Sequence, residues 1–164
     1  MKNENYNNAI INYGNNALKN GSVWVQGGKD NCAAGNAFEI AVKQAMNGNR
    51  FKGISKATND IKKKGFSYEI KSNCGSIDNI LKADFVIYAI IEKEDIIDEG
   101  FVLNYANVIP STDFIEYLEN DNLVKMNGHR RMIQNFKTSQ KRRAKFEDFL
   151  WNYPSLQEYL EGLQ

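Results

Sequence analysis

The chain has 164 residues, 42% of them hydrophobic and 12% aromatic, with a formal net charge of +1. That length and composition predict one folded domain with a core of its own, and they exclude a disordered chain or a small scaffold needing disulfide staples. With one histidine and two isolated cysteines, Cys32 and Cys74, a histidine-rich or paired-cysteine zinc site is also excluded. The two thiols are expected to be free, and any metal would be held by oxygen ligands, hence magnesium or manganese.

Residues 1–20 include eight asparagines, which lower helix propensity, yet Ala9, Ile10, Tyr13 and Ala17 recur at helical spacing and predict a short first helix. Glycines bound an extended piece over 21–28, and a flexible turn is expected over 29–35. A helix is predicted from Asn36 as N-cap, with Glu39 in its first turn in capping-box style. Phe38, Val42 and Ala45, joined by Ala41 and Met46, form its apolar stripe, and Asn47 and Gly48 stop it. Residues 50–54 read as a connector or weak strand, and 62–65 as a polar turn. Residues 66–72 alternate with period two, so Phe66, Tyr68 and Ile70 point one way and Ser67, Glu69 and Lys71 the other. The two limbs around the turn form a hairpin or sharp β corner.

A short turn or helix over 77–81 leads into the apolar run 85–91, a buried central strand and far too short to span a membrane. Another strand is expected over 100–109, ended by Pro110. Ser111 or Thr112 can cap the helix that follows, which buries Phe114, Ile115 and Leu118. A further helix is predicted over 141–151 on a Phe146–Leu150 pair, and a last one, opened by Pro154 and Ser155, carries Leu156, Tyr159, Leu160 and Leu163. This order predicts the α/β class, a small mixed β-sheet flanked by helices. It is read as a single domain over 1–164, with the core at about 36–118 and a basic helical C-terminal part at 125–164. Nothing at the start resembles a signal peptide, so a soluble, cytoplasmic protein with no membrane segment is expected.

Charge is segregated along the chain. Residues 92–121 hold nine carboxylates and one lysine, whereas residues 125–145 hold eight Lys or Arg and no carboxylate. A near-neutral chain can therefore present one positive face.

The strongest chemical signal is "NDIKKKGFSYEIK" over 59–71. Glu69 and Lys71 share one face of a strand whose other face is apolar. A hard cation could bind the Glu69 carboxylate, the Ile70 backbone carbonyl and the Asp60 carboxylate from the neighbouring limb. Lys71 would then sit beside the ion, where it could orient an attacking water or neutralise charge on a phosphate. Taken singly, the residues also have plain readings. Glu69 and Lys71 suit a solvated strand face, Asp60 a turn, Glu39 a capping box, and Asp78 and Asp84 turn or strand-edge positions.

The stretch resembles the signature of the PD-(D/E)xK nuclease superfamily, with Asp60 as its first acid, Glu69 as its second, Lys71 as its lysine, and Asn59 where the motif's name has a proline. Glu39 matches the helix glutamate of many members, and the apolar run 85–91 matches the strand after the motif. The resemblance spans about 36–91. It implies a restriction endonuclease-like core and Mg²⁺-dependent (or Mn²⁺-dependent) hydrolysis of phosphodiesters, usually in DNA. It makes Asp60, Glu69, Lys71 and Glu39 catalytic, and Asp60, Glu69, the Ile70 carbonyl and Glu39 metal ligands.

Lys62, Lys63 and Lys64 in the turn, and Arg130, Arg131, Lys137, Ser139, Lys141, Arg142 and Arg143 in the basic third, are candidates to contact nucleic acid. Two rival expectations are a nuclease acting on RNA and a catalytically inactive module of the same fold that binds nucleic acid or docks on a protein. A homodimer would double the contacts available to so small a chain.

Overall fold

The computed structural model describes residues 15, 30–47, 61–73, 75–92, 102–133 and 140–163. The expected strand at 21–28, the connector at 50–54, most of the first helix, and both cysteine side chains lie outside them. The chain divides into two compact units, one of residues 1–57 and 89–105, the other of residues 58–88 and 106–164.

In the first unit the main described element is helix α1, Asp30–Asn47. It starts six residues before the predicted Asn36, so the segment from Asp30 to Gly35 is helical and not a turn. Two features favour this: Ala33 and Ala34 are the best helix formers, and the segment continues directly into the apolar helix that follows. Those gains offset the roughly 1 kcal/mol that Gly35 costs inside a helix. Ala37, Phe38, Ile40, Ala41, Val42, Lys43 and Met46 are all buried. At 100° per residue these positions take in every side, which marks an interior helix.

The second unit is a small α/β structure. Strands β1 (Ile61–Lys63), β2 (Phe66–Ser72), β3 (Phe85–Glu92) and β4 (Val102–Pro110) form a sheet in that spatial order, with the far ends of β3 and β4 belonging to the first unit. Strands β1 and β2 are an antiparallel hairpin with Ile61 opposite Tyr68 and Lys63 opposite Phe66. Lys64 and Gly65 form its two-residue loop, both at positive φ (51° and 85°), as a type I′ turn requires. A 3₁₀ turn (Ile80–Lys82) precedes β3. The Asp84 carboxylate accepts from the Ser67 amide (2.9 Å) and hydroxyl (3.2 Å), which ties the start of β3 to β2.

Helix α2 (Ser111–Asn120) follows β4 directly. Its N-cap position is taken by Pro110 and not by a hydroxyl. Ser111 lies inside the helix, buried, and its Oγ caps nothing. The other end is a Schellman motif, in which Asn122 adopts φ 56° and Leu123 donates to the Leu118 carbonyl (2.8 Å). Leu118 and Leu123 are both buried there.

Strands β5 (Val124–Asn127) and β6 (Arg130–Ile133) form a second, two-stranded sheet. The C-terminal part is therefore not wholly helical. Gly128, at φ 62°, opens a two-residue loop of the Gly-X kind, and this turn chemistry makes a hairpin where charge alone was read. Helices α3 (Gln140–Leu150) and α4 (Leu156–Gly162) complete the unit. Ser155 caps α4 in a capping box with Glu158.

Alternation along β3 sends Phe85 and Tyr88 to opposite faces, and each face has its own aromatic cluster. On one face Phe66, Tyr68 and Phe85 pack against Tyr159 of α4. On the other, Tyr88 packs against Phe114 of α2 and Phe146 of α3, and the cluster continues through Tyr117, Phe149 and Tyr153. Both sheet edges are guarded. The outer edge of β4 is covered by the loop before α4, where Val108 donates to the Pro154 carbonyl (3.0 Å), and β1 is short and lysine-bearing.

Candidate active site

Strand β2 positions the two site residues as its alternation predicts. Tyr68 and Ile70 face the Phe85–Tyr159 cluster, so Glu69 and Lys71 share the opposite face with Ser67. That face is no solvated surface at Glu69, which is 3% exposed. The Lys71 ammonium lies 3.6 Å from the Glu69 Oε2. At that separation it is a charge neighbour and not a hydrogen-bond donor to this oxygen. Its own side chain keeps 19% exposure, so the anionic member of the pair is buried and the cationic member only partly so.

The chain beyond Lys71 is held by its neighbours. Asn73 sits at φ 52°, and the Tyr88 hydroxyl donates to its carbonyl (2.6 Å). Gly75 then passes close to the lysine stem, since a methyl there would stand 3.5 Å from Lys71 Cδ. Gly75 and Ile77 bond to β6 through Ile133 N to Gly75 O (3.0 Å) and Ile77 N to Arg131 O (2.9 Å).

Asp60, Lys137 and Ser139 lie outside the described residues. Ile70 is buried through its side chain, on the face away from Glu69. Glu39 is not in a first turn. It sits mid-helix in the first unit, its Oε1 accepting from Lys43 Nζ (2.9 Å). Lys43 itself is 1% exposed, a buried cation that the sequence reading missed. The available signal was its spacing of four from Glu39 within an otherwise apolar helix.

The basic candidates divide. Lys62, Lys64, Arg130, Lys141 and Arg142 are exposed, and Lys63 is half-buried. Arg131 is turned to the protein, its Nε 3.4 Å from Asp78 Oδ1 and its Nη1 3.9 Å from Glu119 Oε1. Arg143 pairs with Glu147 (3.0 Å), and Lys145 with Asp121 (2.6 Å). Folding thus brings part of the basic segment back onto the acidic one. Of the two alternative acids, Asp84 is spent on Ser67, and Asp78 on Arg131 and Ser76.

Three tyrosines titrate late. Burial, then the Tyr159 hydroxyl, pushes Tyr68 well above the ordinary phenol value. Burial, then Asp121, raises Tyr117 to about 12, and burial, then Asp113, raises Tyr153. All three stay neutral and serve packing.

A bound divalent ion would need several hard oxygen donors. Among the described residues no group of three or more His, Cys, Asp or Glu side chains gathers to hold one. Glu69 is one donor of the right chemistry. Among the described residues no helix is long and apolar enough to cross a membrane. No protein-family model matches this sequence, and no curated protein or solved structure is significantly similar to it.

Proposed function

We propose that the protein is a Mg²⁺- or Mn²⁺-dependent deoxyribonuclease with a restriction endonuclease-like core. The observation that carries this reading is a buried carboxylate, Glu69, with an ammonium two residues along on the same strand face. Burying that carboxylate costs several kcal/mol of desolvation, and losing a partner from a buried pair destabilises by about 3–5 kcal/mol, so such a pair is a poor device for stability alone.

Asp60, Glu69 and the Ile70 carbonyl would hold the ion. When bound, the ion would activate water and stabilise the leaving oxygen. The chain's own part follows from the geometry. Glu69 fixes a negative charge that cannot move into solvent, and Lys71 extends its ammonium towards water where a phosphate would lie. There it neutralises charge as it develops on the phosphoryl oxygens. A homodimer would offer one such site to each strand of a duplex.

The test is incubation of the purified chain with linear, circular, branched and single-stranded DNA in Mg²⁺, Mn²⁺ or EDTA, beside Asp60→Asn and Lys71→Met. Metal-dependent cutting lost in both variants, with DNA affinity kept, is the expected result. Equal activity in the variants overturns the assignment. Binding without cutting in either metal selects the inactive module. Preferential cutting of RNA reassigns the substrate.

A further inference from the structure

We infer that the β5–β6 hairpin is the element that enters the groove of the substrate, and that its outward face, carrying Lys125, Asn127 and Arg130, makes the contacts. The inference rests on nucleic acid being the substrate class. It assigns the recognition element and its occupant, B-form duplex DNA.

The hairpin is anchored at its base and open at its tip. Leu123 and Ile133 are buried, whereas residues 125–130 are all exposed, Met126 by 58%. The register sorts its side chains. Val124 opposes Ile133 and Met126 opposes Arg131, so these four share one face. Towards its base that face is turned to the protein, where Arg131 pairs with Asp78 and Glu119 and Ile133 is buried, while Met126 near the tip is open. Lys125 opposes Met132 and Asn127 opposes Arg130, so Lys125, Asn127 and Arg130 point the other way. His129 stands in the exposed loop, and no carboxylate occurs between Asp121 and Glu147.

A two-stranded ribbon fits the major groove of B-DNA, which is about 12 Å wide, and arginine and asparagine are the side chains that read guanine and adenine edges there. The deep, narrow major groove of A-form RNA admits no such ribbon. The hairpin is also joined to the site strand. Gly75 and Ile77, which follow Lys71 on the chain, bond to β6, and Ser76 bridges Met132. A groove seated on the hairpin is thereby held in register with the Glu69–Lys71 end of β2. Arg131, placed among the phosphate-binding candidates by sequence, acts instead as a brace.

The experiment is fluorescence anisotropy of the full chain on a 20-bp DNA duplex and its RNA counterpart in EDTA, titrated with salt. Lys125→Ala/Arg130→Ala should flatten the plot of log affinity against log salt by about 0.9 for each phosphate contact removed. Both changes are at exposed positions, and an unchanged melting temperature confirms the fold. Duplex RNA should bind more weakly than DNA. An unchanged slope, equal affinity for RNA, or no binding of duplex DNA by the wild type overturns the inference. Because EDTA removes cleavage from the readout, the two readings separate. Hairpin-dependent binding without cutting in Mg²⁺ sinks the nuclease and keeps the hairpin; cutting with an unaltered slope does the reverse.

Discussion

Replacing Lys71 by methionine tests whether the Glu69–Lys71 pair is an electrostatic unit. Methionine keeps most of the stem and removes only the charge. At 3.6 Å the attraction between two unit charges is about 4–5 kcal/mol at an effective dielectric near 20. Part of that is already offset by the desolvation of Glu69, and Lys71 keeps 19% exposure, so Lys71→Met should cost about 2–4 kcal/mol near pH 7.5. For a chain of this size that is roughly 5–12 °C in melting temperature. The converse change, Glu69→Gln, should cost only about 1 kcal/mol, because the lysine can swing its ammonium into water while a buried carboxylate has no such exit. The deficit of Lys71→Met should also shrink towards pH 5. With the ammonium gone, the buried Glu69 carboxylate takes up a proton more readily in the folded chain than in the unfolded one, so falling pH favours the fold. Thermal melts of the wild type, both single variants and the double variant at pH 7.5 and 5 measure all of this. Equal costs for the two single variants, or a Lys71→Met deficit that ignores pH, would refute the reasoning.

Tyr117 supplies a test at the alkaline end. Its folded value of about 12 lies above the ordinary 10, so its contribution is complete below pH 10 and lost as pH rises through 12, worth about 2 kcal/mol. Tyr117→Phe should therefore lose less stability than the wild type between pH 9 and 11.5, read from urea midpoints; parallel losses would show that the phenol is not responsible. Phe146 is fully buried against Tyr88, Phe114, Tyr117 and Phe149, and Phe146→Ala should cost about 3–5 kcal/mol by denaturant unfolding. A cost below 1 kcal/mol would mean that this face of the sheet is not the core.

The parts of the fold legible in the sequence are those where one local rule dominates. Period-two alternation gave β2 its two faces, the apolar run gave β3, and Pro154–Ser155 gave the start of α4. The N-terminus of α1 was misread because Asn36 is a competent cap, but an earlier competent start at Asp30 lets the helix run on through Gly35. The β5–β6 hairpin was missed because its strands are four residues each and largely exposed, so no apolar alternation marks them. Its signal was the Gly128–His129 loop, a Gly-X pair between two short runs. At the site, the shared face of Glu69 and Lys71 follows from spacing, but the burial of Glu69 does not. Burial is set by tertiary packing, which strand alternation does not encode.

Charge shows the same division between chain and space. Read along the sequence, residues 125–145 are one basic block and 92–121 one acidic block. In the folded unit Lys145 meets Asp121, and Arg131 meets both Asp78 and Glu119. Such partly exposed pairs add little to stability. Their consequence is to remove particular cations from the set that can face a phosphate. What remains exposed on the hairpin is Lys125 and Arg130, and these stand on the face opposite Arg131. A basic block thus becomes a sided ribbon, with brace and contact residues alternating because the strand period is two. The same period separates Glu69 and Lys71 from Tyr68 and Ile70, so one geometric rule sets both the candidate chemistry and the surface that would present substrate to it.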